Sequence, residues 1–395
     1  MTTIQKAHGM DGTLVEPDWP PLTLPEVRAL LEDFPDPGEP IEILSVSPRP
    51  FSAASVVRVG SGRVFIKRHH RQVRDRAGLL EEHRFIEYFR AHGAASPRIL
   101  ANSGGETAIE AGEWTYEVHE AAEGVDLYED AHSWTPFRSA EHAFSAGQSL
   151  AQLHLASRGF TAPPRKPRPL VASFTIFAST DPEAAIKSYL AARPALAAHR
   201  PSHEAGMAAL DLLAPFHAEL HPLKGALEPL WTHNDLHASN LLWSGTGEGA
   251  RARAIIDFGL ADRTNAVHDL AHAIERNMVE WLALTGAATR GDAVPVHLED
   301  LQAMLAGYES VRPLSGEAAA ALAPMTALCH AEFALSEADY FLGALDSEEK
   351  ARLALFDYLV GHARWFSSRS GTRLLDSLRR WADARQHQST SVGKR

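Results

Sequence analysis

The 395-residue chain carries 38 Lys and Arg against 50 Asp and Glu, a formal charge of −12, which repels polyanions, argues against a nucleic-acid partner and favours a cationic substrate. With 45% hydrophobic and 22% charged residues the composition is that of a folded protein with room for a large core. Cys329 is the single cysteine, which excludes an intrachain disulfide or a cysteine-built zinc site; with no apolar h-region in Met1–Pro20 and no run of about eighteen apolar residues, the expectation is a cytoplasmic protein without a membrane partner.

Residues 1–40 read as a proline- and acid-rich lead-in with a short helix over Leu24–Phe34, announced by Thr23-Leu24-Pro25. The β-branched runs Ile41–Val46, Ser55–Val59 and Arg63–Lys67, with Gly60-Ser61-Gly62 as a tight turn, predict an antiparallel meander. An amphipathic helix over Gly78–Ala91 follows, with Leu79, Leu80, Phe85, Ile86 and Phe89 at helical spacing. Arg98–Asn102 and Trp114–His119 are the remaining strand candidates, and a connector is expected near Glu117–Gly124.

Beyond Gly124 the pattern is helical. Helices are predicted over Ala140–Ala156, Pro182–Ala192, Ser202–Leu220, Asp269–Leu284, Leu298–Tyr308, Glu317–Ala344, Glu348–Trp365 and Thr372–Ala384, with a stiff extended linker over Pro163–Pro169. The expected architecture is α+β and bilobal: a lead-in (1–40), an N-terminal antiparallel β-sheet lobe with one helix (41–119), a larger, mainly helical C-terminal lobe (120–385) and a flexible polar tail (386–395). Clefts between two such lobes are favoured ligand sites.

The chemistry is concentrated in Trp231–Leu242 and Ala254–Gly259, two apolar runs flanking polar loops around a hairpin whose tip is Ser244–Ala250. Such a turn gathers Asp235, Asn240 and Asp257 around one point, where a helix would scatter them. An aspartate beside an alcohol can take its proton, and an amide oxygen with a carboxylate is a partial magnesium shell that phosphates and water complete. Phosphoryl transfer needs that combination of positioning and charge neutralisation.

His233-Asn234-Asp235 followed by four residues and Asn240 resembles the His-x-Asp-x-x-x-x-Asn catalytic loop of kinases, and Asp257-Phe258-Gly259 resembles their metal-binding tripeptide. No long activation segment ending in Ala-Pro-Glu follows; Val267-His268-Asp269-Leu270-Ala271 opens a helix within a few residues. In this the chain is similar to the aminoglycoside phosphotransferase and choline-kinase-like family, the small-molecule branch of the protein-kinase-like fold. The resemblance implies Asp235 as base, His233 as a support of the loop, Asn240 and Asp257 as magnesium ligands and Asp269 as a buried brace. It also implies Lys67, in Val64-Phe65-Ile66-Lys67, on the nucleotide phosphates, Glu82 as its ion-pair partner, and main-chain groups at Glu117 and His119 on the nucleotide base. The cofactors it implies are ATP, with GTP possible, and Mg2+, and the partner is a small hydroxyl-bearing molecule such as an amino alcohol, amino acid, sugar or aminoglycoside. An atypical bacterial Ser/Thr kinase and an inactive nucleotide-binding scaffold are the alternatives.

The loop between the first two strands, Pro48–Ser55, lacks the glycines often found there in the family, leaving Ser52 and Ser55 as candidate phosphate donors. Two histidine pairs at i, i+4, His233/His237 and His217/His221, lack the adjacent glutamate of a zinc-protease helix. Gly245-x-Gly247-x-Gly249 reads as a flexible hairpin tip. Trp281, Phe333, Tyr340, Phe341 and Trp365 are expected in the core, and Glu332, Glu337 and Asp339 on a solvated helix face.

Overall fold

The structure, a computed structural model, describes residues 7–8, 12–284 and 294–392. A short hairpin pairs β1 (Ala7–His8) with β2 (Leu14–Val15). Thr23 then opens α1 (Leu24–Leu31): its hydroxyl accepts from the Glu26 amide while the Glu26 carboxylate accepts from the Thr23 amide, a reciprocal cap. Glu26 also takes a hydrogen bond from Arg68 (2.6 Å) and one from the Tyr116 hydroxyl (2.8 Å), which fixes the lead-in helix to the sheet behind it.

That sheet is the first lobe. Strands β3 (Pro40–Val46), β4 (Ala53–Val59) and β5 (Gly62–His70) form the predicted meander. Helix α2 (Arg76–Ala91) crosses, capped by Asp75, whose carboxylate accepts from the Gly78 amide. β6 (Ile109–Ala111) and β7 (Trp114–Glu120) complete the strand order β3-β4-β5-β7-β6. Side chains alternate across the sheet. Val57, Val64, Ile66 and Val118 pack with Val27 and Leu31 of α1 on one face, so Lys67 and its cross-strand partner Glu117 face the other way, toward α2 and the cleft.

Two details differ from the sequence reading. Residues 98–102 make only an isolated bridge, Ile99 to His119, because β6 takes the remaining edge of β7. And β7 runs through Glu120, so the connector starts at Ala121, after Glu117 and His119 rather than at them.

The helical lobe begins with α3 (Ala140–Ala156), then α4 (Pro182–Ala191), α5 (Pro194–Ala198) and α6 (Arg200–Leu220). Four short strands follow: β8 (Pro229–Thr232), β9 (Leu241–Trp243), β10 (Ala252–Ile255) and β11 (Asp262–Asn265). β9 and β10 form the expected hairpin; β8 and β11, not foreseen, pair outside it. Then come α7 (Ala266–Met278), α8 (Leu298–Val311), α9 (Gly316–Leu328), α10 (His330–Gly343), α11 (Glu348–Arg352), a π-helical stretch Leu353–Val360, α12 (Gly361–Phe366) and α13 (Arg369–Val392).

The long helix expected over 317–344 is therefore two helices meeting at Cys329, and the one expected over 269–284 ends at Met278. Residues 386–392, expected as a loose tail, continue α13, while 393–395 lie outside the described residues. The stretch Gly316–Gly343 is long and apolar enough to cross a bilayer, yet 94% of its apolar window is buried within the protein.

Helices α3 and α8 cross at glycines. A Cβ on Gly147 would stand 2.1 Å from the Met304 carbonyl oxygen, and one on Gly307 would stand 1.9 Å from that of Phe144; only glycine permits so close an approach. The lobes are joined by aromatic packing: Phe85 of α2 lies 5.4 Å from the Trp231 ring and 6.0 Å from that of Phe258. This contact sets the β-lobe directly above the loops that follow β8 and β10.

Candidate active site

The loop after β8 is held by one buried carboxylate. Asp269, in the first turn of α7, accepts the amide of His233 at 2.9 Å and that of Asn234 at 2.7 Å, and also the His154 Nε2 at 2.9 Å. Burial pushes its pKa up, but His154, His233 and these amides overcome that and hold it ionised. Asn234 adopts a left-handed backbone with φ 61°. Its side-chain carbonyl accepts from the Thr232 hydroxyl (2.8 Å) and its amide donates to the Ala172 carbonyl (3.0 Å), contacts that stabilise an otherwise costly conformation.

His233 is fully buried. Its Nε2–H donates to the Ile256 carbonyl (3.0 Å), and its Nδ1 accepts from the Asp235 amide (3.1 Å). It thus ties the two loops together and aims Asp235 without facing the cleft. Asn277, the penultimate residue of α7, braces the same loop further along, accepting from the Ala238 amide (3.1 Å) and donating to the Leu236 carbonyl (2.9 Å).

Asp235 opens toward the cleft. The Asn240 amide N–H donates to its carboxylate (3.1 Å) and carbonyl (2.9 Å), which leaves the Asn240 Oδ1 free for a cation. Ile256 donates to the Asn240 carbonyl at 3.0 Å, so Asp257, the next residue, stands beside it. Asp257 also has a left-handed backbone, φ 60°. Burial raises the Asp235 carboxyl to about 6, against the pull of Arg276 and His233. Asp257 is only partly buried, with 36% of its side chain exposed, and Lys67 beside it holds it well below the usual carboxylate range.

Lys67 donates to Asp257 Oδ1 at 2.8 Å, linking β5 to the tripeptide after β10. Burial acts to lower its pKa, and Asp257, Glu117 and Glu82 reverse that, leaving it raised. The expected direct pair with Glu82 is not formed. Glu82 is occupied by Arg74 Nε and Arg165 Nη2, each at 2.7 Å. Both arginines also donate to main-chain carbonyls around the tripeptide, Arg74 to Gly259 and Arg165 to Gly259 and Ala261 at 3.1 and 3.2 Å. Glu82 therefore clamps α2 to the segment that carries Asp257 rather than neutralising the lysine.

Glu117 is buried and takes the Nε2 atoms of His69 and His83 at 3.0 Å each and of His119 at 2.8 Å. Burial raises its pKa, the three histidines overcome this, and it is held well below the usual range. Its backbone and that of His119 lie within the sheet, between β5 and residues 98–100, so neither offers the free main-chain groups expected to meet a nucleotide base. His83, Glu117 and His119 are, among the described residues, the group whose ligand atoms lie close enough to hold a metal ion; His233/His237 and His217/His221 are not.

Ser55 stands opposite Ile66 in β4, on the α1 face of the sheet, so it cannot serve the phosphates. Ser52 lies at the end of the loop, just before β4. The loop itself is pinned to the opposite lobe: Arg49 Nη2 donates to the Ser239 hydroxyl (2.6 Å) and the Ala131 carbonyl (3.0 Å), and Phe51 packs edge-on against Tyr340 at 5.2 Å. Glu332, Glu337 and Asp339 are buried, not solvated, and the aromatic set Trp281, Phe333, Tyr340, Phe341 and Trp365 is buried as expected. Glu332 caps the 170s loop, accepting from the Ile176 amide (2.6 Å) and the Thr175 hydroxyl (3.0 Å).

Sequence reasoning also missed Arg276, whose Nε lies 3.2 Å from Asp235 Oδ1. The spacing held a clue: Arg276 is seven residues after Asp269, two turns along the same helix.

The sequence model of the phosphotransferase enzyme family matches residues 48–314, more than half of the chain. The chain belongs to this family. No curated protein matches it at a significant level. Among solved structures, a microcompartment-associated aminopropanol kinase is 16% identical with a TM-score of 0.57, over 88% of this chain and 99% of that one. An amicoumacin kinase in complex with AMP-PNP, Ca2+ and its ligand is 12% identical with a TM-score of 0.53, over 82% and 87%. A hygromycin B ternary complex of an aminoglycoside phosphotransferase, also with AMP-PNP, is 15% identical with a TM-score of 0.51, over 87% and 99%. At these identities the likeness is one of fold, and the fold is the bilobal kinase-like one. The protein is a phosphotransferase of this family.

Proposed function

We propose that the protein transfers the terminal phosphoryl group of ATP, with GTP as the alternative donor, to the hydroxyl of a small molecule, with magnesium held by Asn240 and Asp257. The observation that carries this reading is the convergence of Asp235, Asn240 and Asp257 below the sheet, with Lys67 on Asp257 from above. The donor set suits a hard cation: an amide oxygen left free by the Asn240–Asp235 contacts, and a carboxylate held ionised. Bound there, magnesium supplies charge neutralisation at the phosphates.

Asp235 accepts the proton of the acceptor hydroxyl as its oxygen bonds to phosphorus and the bond to the departing nucleoside diphosphate breaks. Lys67 contributes a fixed positive charge to the phosphates, and the Glu82 clamp keeps sheet and tripeptide in register. The names of the solved neighbours, which specify aminopropanol, amicoumacin and hygromycin B, support a small acceptor. The buried lone Cys329 supports a reducing, cytoplasmic setting.

The test is ADP formation by the purified protein with ATP and magnesium against amino alcohols, amino acids, sugars and aminoglycosides. Alcohol-dependent turnover lost on chelation is expected. Nucleotide hydrolysis that no alcohol accelerates would contradict the reading.

A further inference from the structure

Arg276 is 2% exposed, and its guanidinium is stacked 4.7 Å over the Phe333 ring and 5.9 Å from that of Trp134. Its Nε lies 3.2 Å from Asp235 Oδ1, yet neither Nε nor Nη2 has a hydrogen-bond acceptor. Buried guanidinium donors are ordinarily satisfied, and leaving them so is costly. Further orphans within electrostatic reach of it include the Oε2 of Glu337 on α10, the Oε2 of Glu275 beside it on α7 and the hydroxyl of Tyr358 in the π-helical stretch. Glu275, Glu337 and Tyr358 are buried, 1%, 2% and 3% exposed. π-helical turns occur disproportionately at functional sites.

We propose that this cluster is the acceptor-binding pocket and that the acceptor is a 2- or 3-hydroxy acid whose carboxylate is bound by Arg276, with Glu337 and Tyr358 completing the shell; the proposal rests on the phosphotransfer reading given above. A guanidinium fork matches a carboxylate. Its distance from Asp235 fixes the length of the acceptor: a hydroxyl within about 3 Å of the Asp235 carboxylate is separated from a group on Arg276 by only a few bonds. Burial raises the Glu337 carboxyl to about 8, so at neutral pH it is mainly protonated, offers an O–H donor and does not repel an acid. The chain's overall negative charge pointed instead to a cationic substrate. The local field is different, because Arg49, Lys67 and Arg276 all come within reach of the catalytic carboxylates, and an ammonium would meet the guanidinium head-on.

Glycerate, glycerol and 3-aminopropane-1,2-diol present one hydroxylated scaffold with an anionic, a neutral and a cationic end. Together with serine and 3-hydroxybutyrate, each compared with its amide, they form the panel for magnesium-dependent ADP formation by the full chain. The expected result is a kcat/KM for at least one acid that exceeds its amide and amine counterparts tenfold or more. Arg276→Gln loses its contact with Asp235 and should lower kcat for acid and amide alike; beyond that shared loss it should raise KM for the acid about tenfold or more over any change in KM for its amide, a shift in the acid-to-amide preference that a purely structural role would not produce. Equal or better use of the amines or amides by the wild-type chain overturns the carboxylate pocket and leaves phosphotransfer standing. Failure of every alcohol to accelerate ADP formation, with nucleotide bound, removes the phosphotransfer reading and this inference with it.

Discussion

Lys67 and Asp257, 190 positions apart in sequence, meet at 2.8 Å. The contact spans the two lobes and carries a cation from the sheet to the carboxylate best placed to hold a metal. Burial works against the charge of both, and each is the largest favourable influence on the other's charged form.

Asp257→Asn removes the negative charge that both Lys67 and a divalent cation require. We expect kcat/KM to fall by about three orders of magnitude or more, and the magnesium concentration for half-maximal activity to rise. Titration of initial rates with magnesium checks this, and an unchanged magnesium requirement at full rate would remove Asp257 from the metal site.

Asp235→Asn keeps the shape of the side chain and removes its basicity. The expected loss is in kcat, roughly 10²–10⁴-fold, with nucleotide affinity within a few-fold of wild type because Asp235 faces the acceptor side. Single-turnover rates beside a nucleotide-binding titration separate the two quantities. A loss confined to nucleotide binding would contradict the role.

Glu82→Gln distinguishes a clamp from a lysine partner. It leaves Arg74 buried without its carboxylate and Arg165 with only Glu81, 3.3 Å away, which costs about 3–5 kcal/mol and should appear as a lower midpoint in urea denaturation. Were Glu82 instead the direct partner of Lys67, the main effect would be weaker nucleotide binding at nearly unchanged stability.

Glu337 predicts a pH-dependent stability of definite sign. Its folded pKa is raised to about 8 from an ordinary 4.5, so between these values the folded chain binds more protons than the unfolded one. Its contribution to stability is therefore fully present at low pH and declines as pH rises through that window. Glu337→Gln should flatten this decline, seen as a smaller difference between unfolding free energies measured at pH 6 and pH 8.5. An unaltered slope would mean that the carboxyl titrates normally.

The loops were legible because their chemistry is written locally. Asp235, Asn240 and Asp257 sit at fixed short spacings between apolar runs, and a turn between strands has few ways to arrange them. The brace by Asp269 was legible through the family resemblance of Val267–Ala271 and not through spacing alone. The sheet followed from alternation, although the three-residue β6 was too short to leave a periodic trace, and the pairing of β8 with β11 joins segments separated by the whole hairpin.

Sequence by itself marked Asp235, Asn240 and Asp257, which the fold brings together, and the order of the two lobes, because motif spacing and hydrophobic period are properties of short stretches. Tertiary structure alone decided the partners of the charged groups: Glu82 with Arg74 and Arg165, Glu117 among three histidines, Arg276 beside Asp235, and Glu332, Glu337 and Asp339 inside rather than outside. An ion pair forms with whichever opposite charge packing brings within about 4 Å, and that distance is set by how helices and sheet stack across the chain, which no local pattern records.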